Sequence, residues 1–331
     1  MNILITGSEG FIGSHVTEKL VKLGHKVKCT VLYNSFNSYG WLEDIDKEIL
    51  KEIEVCFGDI RDFSFVKKNL KNCDSVIHLA ALVGIPYSYI SPKSYIETNI
   101  VGTLNILEAA KEQNLDRIIH TSTSEVYGSA KFIPINEKHS LNGQSPYSAS
   151  KIGADQLANS YYLSYETPVT TLRPFNTYGP RQSLRAIIPT ITCQILKENK
   201  EVRLGSLKPT RDFCYIADTV SAFVAALKSK KSIGQTINIG TGYEISIKDL
   251  AKLILEIAGR KKVIKCETKR VRPSNSEVNR LCCSNKKAKK LLNWEPAYKG
   301  KKGLSSGITK TIEWFKDQEN LEKYKSDNFV F

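Results

Sequence analysis

No apolar run in the sequence approaches the ~20 residues needed to span a bilayer, and no basic segment precedes the first apolar stretch, NILIT at 2–6. A membrane partner and a secretory leader are therefore not expected, and the cytoplasm is the expected location. The eight cysteines, at 29, 56, 73, 193, 214, 266, 282 and 283, include no C-x-x-C pair. That spacing argues against a disulfide framework or a zinc knuckle and reads the thiols as reduced packing residues, the vicinal Cys282–Cys283 pair included. The five histidines, at 15, 25, 78, 120 and 139, show no metal-ligand spacing, so no metal is expected. Acidic residues are outnumbered, 34 against 48 basic ones, for a formal charge of +14. The lysines are nevertheless dispersed, with only modest clusters at 286–290 and 299–302, and no nucleic-acid-binding motif accompanies them. A nucleic-acid partner is not expected. A basic surface also suits a small anionic substrate through electrostatic steering.

What is present describes a globular protein. The 331 residues are 41% hydrophobic and 25% charged, enough for one large domain or two ordinary ones. Strand patterns at 2–6, 26–32, 53–57, 75–79, 117–122 and 168–173 alternate with helical patterns at 11–23, 62–71, 93–113 and 147–165. Such alternation predicts an α/β fold with a doubly wound parallel sheet covered on both faces. After about residue 175 the rhythm loosens, with helices at 187–198, 217–229, 246–259 and 303–317 and strands at 201–204 and 235–239. The last of these strands is placed to rejoin the sheet. The expected division is a dinucleotide-binding domain over 1–174 plus about 213–239. A smaller, interleaved α/β lobe over 175–212 and 240–331 would then bind substrate, with ligand beyond the carboxyl ends of the strands.

The first strand runs into ITGSEGFIGSH, in which Gly7, Gly10 and Gly13 are spaced G-x-x-G-x-x-G. Gly7 permits the tight turn, Gly10 lets backbone amides approach a pyrophosphate, and Gly13 packs helix on strand. The helix N-terminus, with Phe11 and Ile12 in its first turn, adds the positive end that favours phosphate. Downstream, Asp59 and Ile60 follow the third strand, where a carboxylate can accept the adenine amino group. Leu79, Ala80 and Ala81 end the fourth strand in residues that allow close approach. From Val27 through Ser38 the chain offers neither an acid for ribose hydroxyls nor an arginine for a 2′-phosphate, though Lys28 is near. That segment leaves NAD and NADP open.

SPYSASKIGAD, 145–155, sets Tyr147 and Lys151 four residues apart, one above the other on a helix. A phenol of pKa about 10 is a poor base at neutral pH, and a neighbouring ammonium stabilises its phenolate. Upstream, IIHTSTSEVYG (118–128) closes a buried strand in hydroxyls and then a carboxylate, Glu125. An unpaired charge there is costly, so Glu125 asks for a chemical reason.

Together TGSEGFIG, HLAA, NIVGT (99–103), the Tyr147/Lys151 pair and RDFCYIAD (211–218) resemble the extended short-chain dehydrogenase/reductase superfamily over nearly the whole chain. The resemblance implies a Rossmann sheet, a tightly held nicotinamide (NAD, with NADP possible), and a nucleotide-sugar substrate. It also implies a homodimer formed through helices 93–113 and 147–165. Asn176 in RPFNTYGPRQ would contact the nucleotide sugar, Arg181 of the same loop joining it. Arg211 and Arg272 match arginines that grip a diphosphate.

The superfamily's 4,6-dehydratases place a glutamate at the position of Glu125, and the Thr123-Ser124-Glu125 triplet is similar to those of GDP-mannose dehydratases and UDP-glucuronate decarboxylases. The resemblance implies that Thr123 bonds the sugar O4, Tyr147 takes the O4 proton, and Glu125 takes the C5 proton. Ser124 stands where other dehydratases carry an acid. The segments VLYNSFNSYGWL (31–42), HLAALVGIPYSYISP (78–92), HTSTSEVYGSAKFIPINE (120–137) and GQSPYSASKIGADQLA (143–158) resemble N-acetylglucosamine-nucleotide 4,6-dehydratases of bacterial legionaminic acid synthesis. They imply a GDP-linked substrate and a 4-keto-6-deoxy product. A UDP-glucuronate decarboxylase, with Arg185 meeting a C6 carboxylate, or an epimerase of the same superfamily is the alternative.

Overall fold

The computed structural model describes residues 1–197 and 201–324. In chain order the first half contains β1 (Asn2–Thr6), α1 (Phe11–Lys22), β2 (Lys26–Leu32), α2 (Lys47–Lys51), β3 (Ile53–Gly58), α3 (Phe63–Leu70), β4 (Ser75–His78), α4 (Ile85–Ile90), α5 (Pro92–Tyr95), α6 (Gly102–Glu112), β5 (Arg117–Thr121), α7 (Pro146–Tyr165) and β6 (Val169–Pro174). The second half adds β7 (Asn176–Tyr178), α8 (Ile187–Leu196), β8 (Glu201–Leu204), β9 (Thr210–Tyr215), α9 (Ile216–Lys228), β10 (Thr236–Ile239), β11 (Glu244–Ser246), α10 (Ile247–Ile257), β12 (Val263–Cys266), α11 (Lys286–Leu292), α12 (Gly300–Lys316) and α13 (Gln318–Glu322). Residue 198 of the expected 187–198 helix, and 325–331 of the expected lobe, lie outside the described residues.

Seven strands form one parallel sheet in the order β10-β6-β5-β4-β1-β2-β3, a Rossmann arrangement extended by β10. Strand periodicity explains how both faces are covered. Ile3, Ile5, Ile77 and Ile119 point to one face and pack with Val16 and Leu20 of α1 and Phe223 of α9. Their neighbours Leu4, Val76 and Ile118 point to the other, against Val66 of α3, Ile106 of α6 and Ala158 of α7. Burial on both sides is why these strands read as near-continuous apolar runs. Strand order reverses between β1 and β4, so the loops after β1, β4 and β5 open on a shared crevice.

The rest is built from small sheets: β11-β9-β7, in which β7 and β9 run parallel and β11 antiparallel, and the parallel pair β12-β8. One expectation is corrected. The region 93–113 is not a single regular helix, because a wide π-type turn over Ile96–Val101 joins α5 to α6. Its cause is visible in Asn99, whose buried side chain bonds both backbone groups of Leu82 and donates to the Ser150 hydroxyl. Turns of this kind concentrate at functional sites. No helix among the described residues is long and apolar enough to cross a membrane.

Candidate active site

The glycine loop is shaped by close approach. Gly7 has φ +69°, and a Cβ there would lie 2.7 Å from the Ala80 amide nitrogen; a Cβ on Gly13 would lie 2.1 Å from the Gly7 carbonyl oxygen. Gly10 caps α1 without a side-chain acceptor for its first amides. The Thr6 hydroxyl accepts from the amides of Leu79 and Ala80, each at 3.2 Å, which ties the end of β1 to the loop after β4. Ala81 continues that loop, half-buried. Phe11 and Ile12 rest their apolar parts on the core beneath the crevice. Asp59 stands past the end of β3, already paired with the Arg61 guanidinium, which holds its carboxyl below the usual range. Ile60 is buried and packs against Gly102 at the start of α6.

Helix α7 carries the Tyr147 and Lys151 pair. Ser145 and Ser148 form a capping box, Pro146 opens the helix, and Tyr147 and Lys151 follow within its first turns, both buried. The Tyr147 ring meets Tyr95 edge-on with centroids 6.2 Å apart, and the Tyr95 hydroxyl donates to the Gly84 carbonyl. Burial pushes the Tyr147 phenol up; a hydrogen bond with Thr123 works in the opposite direction, and the Glu125 charge pushes it further up. Lys151 donates to the Thr121 carbonyl at 2.6 Å, and burial pulls its ammonium down to about 8.

One turn further along α7 lies an acid that the sequence analysis did not single out. Asp155 accepts from the Ser122 hydroxyl at 2.8 Å and from Arg173 at 2.8 and 3.0 Å, with His120 Nε2 at 3.1 Å. Arg173 in turn donates to the Tyr127 hydroxyl at 2.9 Å, which donates to Asn238 at 2.7 Å. Asp155 also supports the charged form of Lys151 against burial. The spacing 147, 151, 155 was the available clue.

Asp155→Asn should cost about 3–5 kcal/mol, because Arg173 is left without its buried counter-ion. A denaturation curve measures that loss, and a stability change within 1 kcal/mol would refute it. The folded Lys151 is charged below about 8 and neutral above, against 10.5 for the free side chain, so activity that needs the ammonium falls as pH rises through that value. Removing the Asp155 charge should move this alkaline limb to lower pH.

Past β5, Ser124–Tyr127 form a 3-10 turn in which the Thr123 hydroxyl accepts from the Glu125 amide at 3.2 Å. Ser124 is buried beneath it. Glu125 is half-buried at the crevice rather than sealed in the core, and its charge acts on both Tyr147 and Arg211. Buried Arg211, on β9, donates to the Thr210 carbonyl at 2.9 Å and lies 3.3 Å from Glu277; Arg272 reaches the same carboxylate at 3.8 Å. Glu277, which the sequence analysis passed over, thus gathers the two arginines. Asn176 on β7 holds a buried Oδ1 with no hydrogen-bond partner among the described residues, an acceptor left free. Arg181 does not join this group. Its backbone is left-handed, φ +68°, and the guanidinium turns to α1, donating to Glu18 and approaching His15 Nδ1 at 3.3 Å.

A family model described as GDP-mannose 4,6 dehydratase matches residues 4–306. The chain belongs to that family. It is 39% identical over 276 residues to a dTDP-D-glucose 4,6-dehydratase of Dictyostelium discoideum, a match covering 77% of this chain and 62% of that protein. Other relatives are named as epimerases and as a UDP-glucuronic acid decarboxylase. Among solved structures, Pal from Bacillus thuringiensis is 36% identical at a TM-score of 0.85, covering 96% of this chain and 99% of its own. The dTDP-glucose 4,6-dehydratase of Bacillus anthracis, in complex with NAD, is 28% identical at a TM-score of 0.84, covering 98% and 99%.

The chain is therefore an enzyme of the nucleotide-sugar dehydratase, epimerase and decarboxylase superfamily, in which the Bacillus anthracis dehydratase structure holds NAD. The residues present fit that group: the glycine cradle leaves no room for side chains, and the uncapped start of α1 offers amides to a pyrophosphate.

Proposed function

We propose that this family member is a nucleotide-sugar 4,6-dehydratase acting on GDP-linked N-acetylglucosamine. The observation that carries the reading is Glu125, a carboxylate at the crevice whose charge is felt by Tyr147 on one side and Arg211 on the other. An epimerase needs only a base for O4; a dehydratase needs a second one for C5. In this reading Arg211 and Arg272 grip the diphosphate, Asn176 contacts the nucleotide sugar, and Thr123 hydrogen-bonds O4. Tyr147, with the Lys151 ammonium close behind, takes the O4 proton as C4 is oxidised. The C4 ketone acidifies C5, and Glu125 removes that proton and passes it to the C6 hydroxyl, which leaves as water; C5 regains a proton from an exchangeable pool as hydride is added at C6. NAD, when bound, supplies the hydride acceptor and donor, so hydride leaves C4, returns to C6, and the cofactor ends unchanged.

The guanine base and N-acetyl group rest on the resemblance of 31–42, 78–92, 120–137 and 143–158. The division of the chain into a cofactor domain and a sugar-binding lobe belongs to the same proposal. So does a homodimer, supported by exposed Ile96 and Val101 beside α6 and Leu163 and Tyr165 on α7. Incubation with GDP- and UDP-N-acetylglucosamine should give a GDP-linked product lighter by one water, without added reductant. Stoichiometric NADH would count against it.

A second reading has one observation in its favour. The Arg185 guanidinium lies against Gly84, 3.2 Å from where a Cβ would sit, beside the Tyr95 that packs on Tyr147. A cation there suits the C6 carboxylate of UDP-glucuronate. Carbon dioxide release from that sugar would establish a decarboxylase instead.

A further inference from the structure

Dinucleotide sites of this architecture usually take an acid from the end of the second strand for the adenosine ribose. This chain has none from Val27 through Ser38. Its structure brings one from elsewhere. Glu9, in the glycine loop, lays its side chain across the end of β2, where Oε1 accepts from the Leu32 amide at 3.0 Å. The loop is fastened there on both sides of the residue. The Ser8 hydroxyl donates to the Thr30 carbonyl at 2.8 Å, and the Glu9 carbonyl accepts from the Trp41 amide at 3.0 Å.

The other carboxylate oxygen, Oε2, is buried and has no hydrogen-bond partner among the described residues. Glu9 makes no ion pair with any described residue. Lys28 on β2 is paired with Glu54 on β3 at 3.2 Å. A buried carboxylate oxygen without a donor is a standing cost, and burial accordingly pushes the Glu9 carboxyl up, against the pull of the Leu32 bond. A ribose hydroxyl supplies the donor that is missing.

We propose that Glu9 is the carboxylate that receives the adenosine ribose hydroxyls and makes the site selective for NAD over NADP. A carboxylate accepts from hydroxyl donors and has further lone pairs beside the Leu32 bond. A 2′-phosphate would remove one donor and set two more negative charges against Glu9, with no arginine on the 27–38 segment to offset them. The acid that β2 lacks is thus supplied by the glycine loop itself.

The test is binding. NAD and NADP are titrated calorimetrically into the full chain freed of nucleotide, as wild type, Glu9→Ala and Glu9→Gln. Wild type should prefer NAD. Glu9→Ala should weaken NAD about 10- to 100-fold, the range for hydrogen bonds to a charged group. Glu9→Gln keeps the shape and an acceptor for Leu32 but removes the charge, and should narrow the NAD-over-NADP ratio by about tenfold. If Glu9→Ala does not fold for want of the Leu32 contact, the ratio in Glu9→Gln decides alone. The proposal is overturned if wild type binds NADP as well as NAD. It is equally overturned if Glu9→Gln weakens both nucleotides together with the ratio unchanged, which would make Glu9 only a brace for the loop.

Discussion

Tyr147→Phe will leave the enzyme folded and stop it before the first oxidation. The substitution removes one oxygen from a buried ring and keeps the edge-on contact with Tyr95. Its structural cost is the hydrogen bond with Thr123, about 1 kcal/mol. The chemical cost is much larger. Oxidation at C4 cannot proceed unless the O4 proton has somewhere to go, and Lys151 is committed to the Thr121 carbonyl. Loss of a positioned proton acceptor typically costs about 10²–10⁴-fold, and here it falls on the step that precedes all others. Neither keto product, followed by mass, nor reduced nicotinamide, followed by absorbance, should accumulate. Turnover near the wild-type rate would remove Tyr147 from the mechanism.

Burial in this structure dominates over the cation that a Tyr-x-x-x-Lys pair is expected to supply. The phenol is pushed up, while Lys151 itself is pulled down to about 8. Spacing alone conveyed which two residues share a helix face, not how dry that face is. Asp155 makes the same point from the other side. A third acid at the same spacing looks like a solvated helix residue until β5 and β6 are seen to bring His120, Ser122 and Arg173 around it.

The parallel strands were readable because burial on both faces makes them apolar throughout, and the turn after β1 because Gly7 and Gly13 answer to contacts under 3 Å. The short strands β7, β9, β11 and β12 were not. They are three to six residues long and lie in turn-rich or charged sequence, so their pairing comes from tertiary contacts rather than from a local pattern. The π-type turn before α6 was equally hidden, because helical periodicity does not record the Asn99 bonds that fix it. Arg181 follows the strand that carries Asn176, and its guanidinium is paired with Glu18 on α1.

Glu125→Gln should separate the two halves of the reaction. The amide keeps the shape of the side chain, and the bond from the Glu125 backbone amide to the Thr123 hydroxyl is untouched by the change. Tyr147 remains to take the O4 proton, with the nicotinamide as hydride acceptor, so hydride transfer from C4 should survive. What disappears is the base for C5, again worth about 10²–10⁴-fold. A block placed after oxidation lets reduced nicotinamide build up on the enzyme, whereas Tyr147→Phe prevents it from forming. The two variants therefore give opposite absorbance signals from neighbouring residues, a contrast that simple loss of structure would not produce. In deuterated water the wild-type product should carry solvent deuterium at C5, because the proton Glu125 removes there is replaced from an exchangeable pool. Wild-type speed in Glu125→Gln, or a C5 position without deuterium in the wild-type product, would sink the assignment. Either result would return the carboxylate to the role of a partner for Arg211, whose buried guanidinium it already supports.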